Sequence, residues 1–168
     1  MEEYVKKNKI SSTNKDNLIA FRGELIISRK EFDDKWKDTK SNARNTVSGL
    51  VNSKKIDPVL AGSTSLVIYE LVDPIMKLED QFKIVKEIGF KTVHNKTVES
   101  IDYDILSKYL KKRKSKSKYV IDGIIVSNND LHKRNTKGNP DYAFAFKDIL
   151  EDQKAISDII DVEWNISK

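Results

Sequence analysis

The chain has no cysteine among its 168 residues. That absence excludes a disulfide scaffold, cysteine-ligated zinc, an iron–sulfur cluster and a thiol nucleophile. No apolar run approaches the ~20 residues of a membrane-spanning helix. The opening MEEYVKKNK has no apolar signal core. A soluble intracellular protein with no membrane partner is expected. The six glycines stand singly, at 23, 49, 62, 89, 123 and 138. They make no glycine-rich phosphate cradle, and neither Walker nor Rossmann spacing is present. The two histidines, His94 and His132, fall in loop sequence with no partner pattern and read as surface residues.

What is present is ample apolar and charged material, 38% and 34% of the chain. That suffices for one domain with a core, or for a large piece of a bigger one. The net charge of +5 is local. Residues 108–118, KYLKKRKSKSK, hold seven Lys/Arg and no acid, while the remainder holds 24 basic and 26 acidic groups. Such a stripe suits a nucleic-acid phosphate backbone. It equally reads as a solvated helix end.

Residues 1–17 are polar and lysine-rich and read as a flexible N-terminal tail. Residues 18–27, LIAFRGELII, read as a strand with Ile19, Phe21, Gly23, Leu25 and Ile27 on one face. Arg22 and Glu24 fall on the other. Ser28 and Glu31 form a capping box for a helix carrying Phe32 and Trp36 and fading near Lys40. A second helix is expected from Arg44 to about Asn52, then a loop at Asp57-Pro58. TSLVIYELV, 64–72, reads as a buried strand ended by Pro74. Residues 78–88 place Leu78, Phe82, Val85 and Ile88 on one helical face, with Gly89 as the stop. A helix over 102–112 runs into the basic stretch. Strands follow at 119–127, 141–147 and 155–166, with a polar loop over 128–140. Strands and helices mix without a βαβ rhythm, so the expected class is α+β with antiparallel sheets flanked by helices.

Three strands carry ionisable groups among apolar neighbours: Glu24 after Arg22-Gly23, Asp122 before Gly123, and Lys147 closing an alternating run. A charge in an apolar strand faces solvent or a site. Each one singly fits the wet face of a sheet. Together, two acids and a lysine suit a nucleotide: a carboxylate on ribose hydroxyls, an acid at a metal, a lysine on phosphate.

FRGEL, SNARNTVSGL, KEIGF, YVIDGIIVSNND and NPDYAFAFKDIL stand in the order found in the adenylation (nucleotidyltransferase) domain of NAD-dependent DNA ligases, and each resembles a motif of that family. RGE resembles the third motif, IDGIIV the fourth, and P-x-x-A-x-A-x-K, ending at Lys147, the fifth. Asn42 to Asn45 resembles NPRN with Ala43 in place of proline. The stretch from Gln81 to Phe90 resembles the helix before the fourth motif, and IIDVEWNISK the strand leading toward an oligonucleotide-binding barrel. The resemblance spans residues 18–168 and implies a partial adenylation domain of the ligase and mRNA-capping fold. It implies nick sealing through lysyl-AMP and DNA-adenylate intermediates, with NAD as AMP donor, Mg²⁺ as cofactor and nicked duplex DNA as partner. A neutral lysine amine suits the first step, and Mg²⁺ with basic side chains suits the transferring phosphate. By the same resemblance Arg22, Glu24, Arg44 and Lys147 bind the nucleotide, with Glu24 on the ribose and Lys147 on the α-phosphate. Asp122 serves the metal and the adenylylated lysine. Arg44 also contacts DNA by this resemblance, and the charge of the basic run adds Lys111, Lys112, Arg113 and Lys114 as expected DNA contacts. The expected setting is the cytoplasm of a bacterial, phage-infected or virus-infected cell.

The departures are specific. The nucleophile motif K-x-D-G does not occur. Ser127 stands where the fourth motif ends in lysine, Asn52 where a second arginine follows NPRN, and Asp141 where an arginine follows the fifth motif's proline. The chain then reads as part or subunit of a ligase, inactive alone, whose nucleophilic lysine comes from a second polypeptide or an upstream segment. The alternative is a catalytically inactive DNA-binding or scaffold module on the same fold.

Overall fold

The computed structural model describes residues 18–133, 135–148 and 156–164. Strands β1 (Ala20–Ile27) and β2 (Thr64–Asp73) pair antiparallel, from Ala20 opposite Asp73 to Ile27 opposite Thr64. The register slips beside Phe21 and Gly23. Gly23 is required there. A Cβ would stand 2.7 Å from the Val67 carbonyl oxygen and 2.9 Å from Ile68 Cδ1. The expected apolar face of β1 is covered at its Ile27 end, whereas Leu25 and its cross-strand neighbour Leu66 remain exposed.

Three helices lie between these strands in sequence: α1 (Arg29–Lys35), α2 (Ala43–Val51) and α3 (Pro58–Gly62). They pack Val47, Leu50 and Leu60 onto Ile27, with Phe32, Trp36, Ala43 and Ala61 around them. Ser28 caps α1, its Oγ accepting the Glu31 N–H at 3.2 Å. Only that half of the capping box forms. The Glu31 carboxylate instead accepts from Lys35 Nζ at 2.6 Å and from the Ser63 hydroxyl at 3.0 Å. Ser63 also accepts from Trp36 Nε1 at 3.0 Å. A buried serine thus joins α1 to the end of α3, and the carboxylate serves Lys35 and Ser63 rather than closing the capping box. Asp57-Pro58, expected as a loop, opens a helix. Asp57 Oδ1 accepts from the Val59 and Leu60 N–H groups, and Pro58 takes the first turn.

Helix α4 (Leu78–Glu87) buries Phe82 and Val85 and stops before Gly89, whose φ is +90°. Gln81 binds it to β2, with Oε1 accepting from the Leu71 N–H at 2.8 Å. Residues 91–93 then extend the sheet, bracketing Ile68 through bonds to Lys91 and Val93. Helix α5 (Tyr103–Lys116) is capped by Asp102 and runs one turn further than expected, so the basic stretch lies on the helix itself. Strands β3 (Ile124–Ser127) and β4 (Ala143–Phe146) form a separate antiparallel pair.

The fold is α+β with two small antiparallel sheets and flanking helices. The strand expected over 119–127 begins only at Ile124, because Asp122-Gly123 lies beyond the ladder. The strand expected over 155–166 does not form within 156–164. That stretch is exposed, with Ile160 at 97%, and no ladder partner meets it among the described residues. The tail expected over 1–17 lies outside the described residues. Among those described, no helix is long and apolar enough to cross a membrane.

Candidate functional site

The end of the β3–β4 pair brings two of the expected groups together. Ile124 pairs with Phe146, so Gly123 and Lys147 flank the last rung. A Cβ on Gly123 would stand 2.5 Å from the Phe146 carbonyl oxygen and 2.9 Å from Lys147 Cγ. The stem of Lys147 therefore lies across a backbone that only glycine leaves flat. Asp122 and Lys147 are both exposed at this end. Asp122 sits just outside the strand rather than inside it. Among the described residues no group of three or more His, Asp or Glu gathers to hold a metal. A lone carboxylate fits the way Mg²⁺ binds alongside substrate phosphates, keeping several waters.

Arg22 and Glu24 project from β1 and are exposed. Arg22 pairs with Glu70 across the strands at 3.2 Å. Glu24 stands opposite Val67. The stretch Asn42 to Asn45 serves the fold directly. Asn42 Oδ1 accepts the Asn45 N–H at 2.8 Å and caps α2. That cap sets Arg44 in the first turn, facing solvent. No hydrogen bond or ion pair joins Glu24, Arg44, Asp122 and Lys147 to one another among the described residues. Two sets of contacts link elements flanking one sheet to elements flanking the other. The Arg29 backbone N–H donates to the Lys118 carbonyl at 2.8 Å and Arg29 Nη2 to the Lys114 carbonyl at 3.0 Å. Glu79 and Asn129 exchange two bonds of 3.0 Å.

The basic helix is not uniform. Lys111 and Lys112 are exposed, while Arg113 and Lys114 are half-buried. Lys114 Nζ lies 3.5 Å from the Asp148 carbonyl oxygen, so this lysine leans toward the end of β4. His94 Nδ1 lies 3.0 Å from the Tyr109 hydroxyl. Partial burial, then the charge of Arg113, holds the His94 pKa below its ordinary value. His132 departs from the expected surface residue: it is half-buried, stacked on Tyr142 at 4.1 Å and 7°. The residue that sequence reasoning missed is Asp148. Its carboxylate accepts from the hydroxyls of Tyr103 and Ser107 on α5. Its place directly after the motif lysine was the available signal.

Comparison with known proteins follows the same residues. The model of the NAD-dependent DNA ligase adenylation domain matches residues 5–149. A DNA ligase of Acanthamoeba polyphaga mimivirus is 48% identical over 134 residues, covering 79% of this chain and 21% of that protein. A DNA ligase of Borrelia recurrentis is 26% identical over 168 residues, covering 89% and 24%. One of Thermosipho africanus is 29% identical over 171 residues, covering 92% and 25%. The chain spans about a fifth to a quarter of the length of these curated relatives.

Proposed function

Since the chain belongs to the adenylation-domain family of NAD-dependent DNA ligases, we propose that it works as part of such a ligase on nicked duplex DNA. Residues 18–168 form a partial adenylation domain with NAD as AMP donor and Mg²⁺ as cofactor. Glu24 takes the adenosine ribose, Lys147 the α-phosphate, and Asp122 the metal and the adenylylated lysine. Arg22 and Arg44 complete the nucleotide side, and Arg44 with Lys111, Lys112, Arg113 and Lys114 holds the DNA backbone. The nucleophilic lysine comes from a second polypeptide or an upstream segment, since K-x-D-G does not occur in this sequence. The observation that carries this reading is the contact of Gly123 with Lys147, which sets an acid and a lysine from two motifs at one open sheet end. An exposed lysine and an exposed carboxylate at one sheet end suit a phosphate carrying a metal ion.

Covalent label transfer tests it. The purified chain, incubated with Mg²⁺ and NAD labelled in the adenylate, is expected to take no label. Sealing activity is expected on adding the segment that carries K-x-D-G, and Lys147→Ala is expected to abolish it. A labelled band from the chain alone would place the nucleophile among its own lysines. Full sealing by Lys147→Ala would remove that residue from the site.

The exposed Lys111 and Lys112 also favour a second reading, a DNA-holding module without catalysis. It predicts salt-sensitive binding that is indifferent to Glu24 and Asp122.

A further inference from the structure

Lys147 is exposed, yet the residues on both sides of it contact one helix. The Asp148 carboxylate accepts from Tyr103 Oη at 3.2 Å through Oδ1, and from Ser107 Oγ through Oδ2. Tyr103 and Ser107 stand four residues apart on α5, so one carboxylate spans two donors on the same helix face. The bond to Asp148 and its charge also keep the Tyr103 hydroxyl protonated beyond its ordinary range. On the other side of Lys147, the Phe146 ring meets Tyr103 edge-on at 5.8 Å. About two turns beyond Ser107 on α5, Lys114 Nζ reaches the Asp148 carbonyl oxygen. The Lys147 stem itself rests against Gly123.

From this arrangement we infer that Asp148 is a positioning residue for Lys147. It locks residues 146–148 onto the first half of α5, whose second half carries the basic run. The distance from Lys147 to Lys111 and Lys112 is thereby fixed through a single rigid helix. A lysine on a phosphate gains from a held backbone, because less freedom is lost on binding. Asp148 touches neither nucleotide nor DNA in this scheme; it acts through Lys147. The inference rests on reading Lys147 as a contact to the adenylate phosphate.

The test compares two nicked duplexes bound by the full chain: one whose 5′-phosphate at the nick carries AMP, and one with the plain 5′-phosphate. The ratio of the two affinities reports engagement of the adenylate. Lys147→Ala is expected to remove the preference. Asp148→Ala is expected to reduce it about tenfold, the scale of one charge-assisted hydrogen bond, with affinity for the plain nick unchanged. The pair Tyr103→Phe with Ser107→Ala deletes these two hydroxyl donors and leaves Asp148 in place. It is expected to reproduce the loss, and it stands in should Asp148→Ala fold poorly. A merely structural role lowers both affinities together and leaves their ratio intact. Should Lys147→Ala lose the preference while both the others keep it, the positioning role is overturned and the site reading survives. Should Lys147→Ala keep the preference, or the unaltered chain show none, the reading of Lys147 fails and this inference with it.

Discussion

The β1–β2 sheet is covered over part of its length, whereas the β3–β4 sheet buries no residue fully. Ile27, Val67, Ile68 and Leu71 of the first are buried under α2, α3 and α4 or beneath residues 91–93. No residue of the second is fully buried, and Ile125 is 73% exposed. The first sheet is held by apolar area removed from water, the largest stabilising term available to a small domain. The second is held by its own ladder and by polar ties to α5 at Asp148 and to α4 at Asn129. The residues proposed for phosphate and metal, Lys147 and Asp122, stand just past the last rung of that sheet. That is where a ligand or a further segment finds open surface, and where local opening costs least.

The sharpest way to break this comparison is to remove the same side chain from each sheet. Ile27→Ala empties a site that is 1% exposed and is expected to cost about 3 kcal/mol. Ile125→Ala is expected to cost less than about 0.5 kcal/mol, as at most surface positions. Denaturant midpoints at unchanged slope read both. Equal losses would mean that the second sheet is covered in solution.

A glycine pair sharpens it further. Gly23→Ala forces a Cβ against the Val67 carbonyl in the middle of the covered ladder and is expected to cost about 2 kcal/mol of global stability. Gly123→Ala meets an even closer carbonyl, that of Phe146. Its strain falls at the end of a short, open ladder, so the rung from Ile124 to Phe146 is expected to give way locally. Amide exchange should then rise in β3 and β4 while the melting temperature moves little, with any preference for adenylated DNA lost. A large fall in melting temperature for Gly123→Ala would show that the two sheets unfold as one.

The same contrast explains what the sequence made legible. The covered sheet has periodic apolar faces, stop signals and caps, so β1, β2, α2 and α4 could be read from residue types. Ser28, Gly89 and Phe82 each do what their types predict. The capping box closed only by half because the Glu31 carboxylate had other partners, Lys35 one turn on and Ser63 across the layer. The strand over 119–127 was overextended because alternation gives no sign of where a partner strand ends. The stretch 156–164 has strand-forming residues, but a strand exists only beside another. Among the candidate site residues, the motif order singled out Asp122 and Lys147, and the close approach of Gly123 to Lys147 makes sense of the glycine. Asp148 stayed hidden because its partners, Tyr103 and Ser107, lie more than 40 residues earlier in the chain.

The smallest expected effect is a pH dependence confined to the covered region. The Glu31 carboxyl is held below its ordinary value of 4.5, first by the bond from Lys35 and then by that from Ser63. A carboxyl whose folded pKa is lowered is protonated first in the unfolded chain. Its contribution is therefore complete above about pH 4.5 and is lost as the pH falls through the lower folded value. Glu31→Gln is expected to flatten the acid limb of the stability curve there and to leave neutral stability little changed, because the group is open to solvent and screened. Ser63→Ala removes the weaker of the two bonds to Glu31 and also leaves Trp36 Nε1 without its acceptor. It is expected to flatten that limb less than Glu31→Gln while costing more at neutral pH, about 1 kcal/mol. Amide exchange followed through the same pH range separates the regions. The change belongs in α1 and α3, where Glu31 and Ser63 join the layers of the covered sheet. Its appearance in β3 and β4 would show that the second sheet depends on the core it does not share.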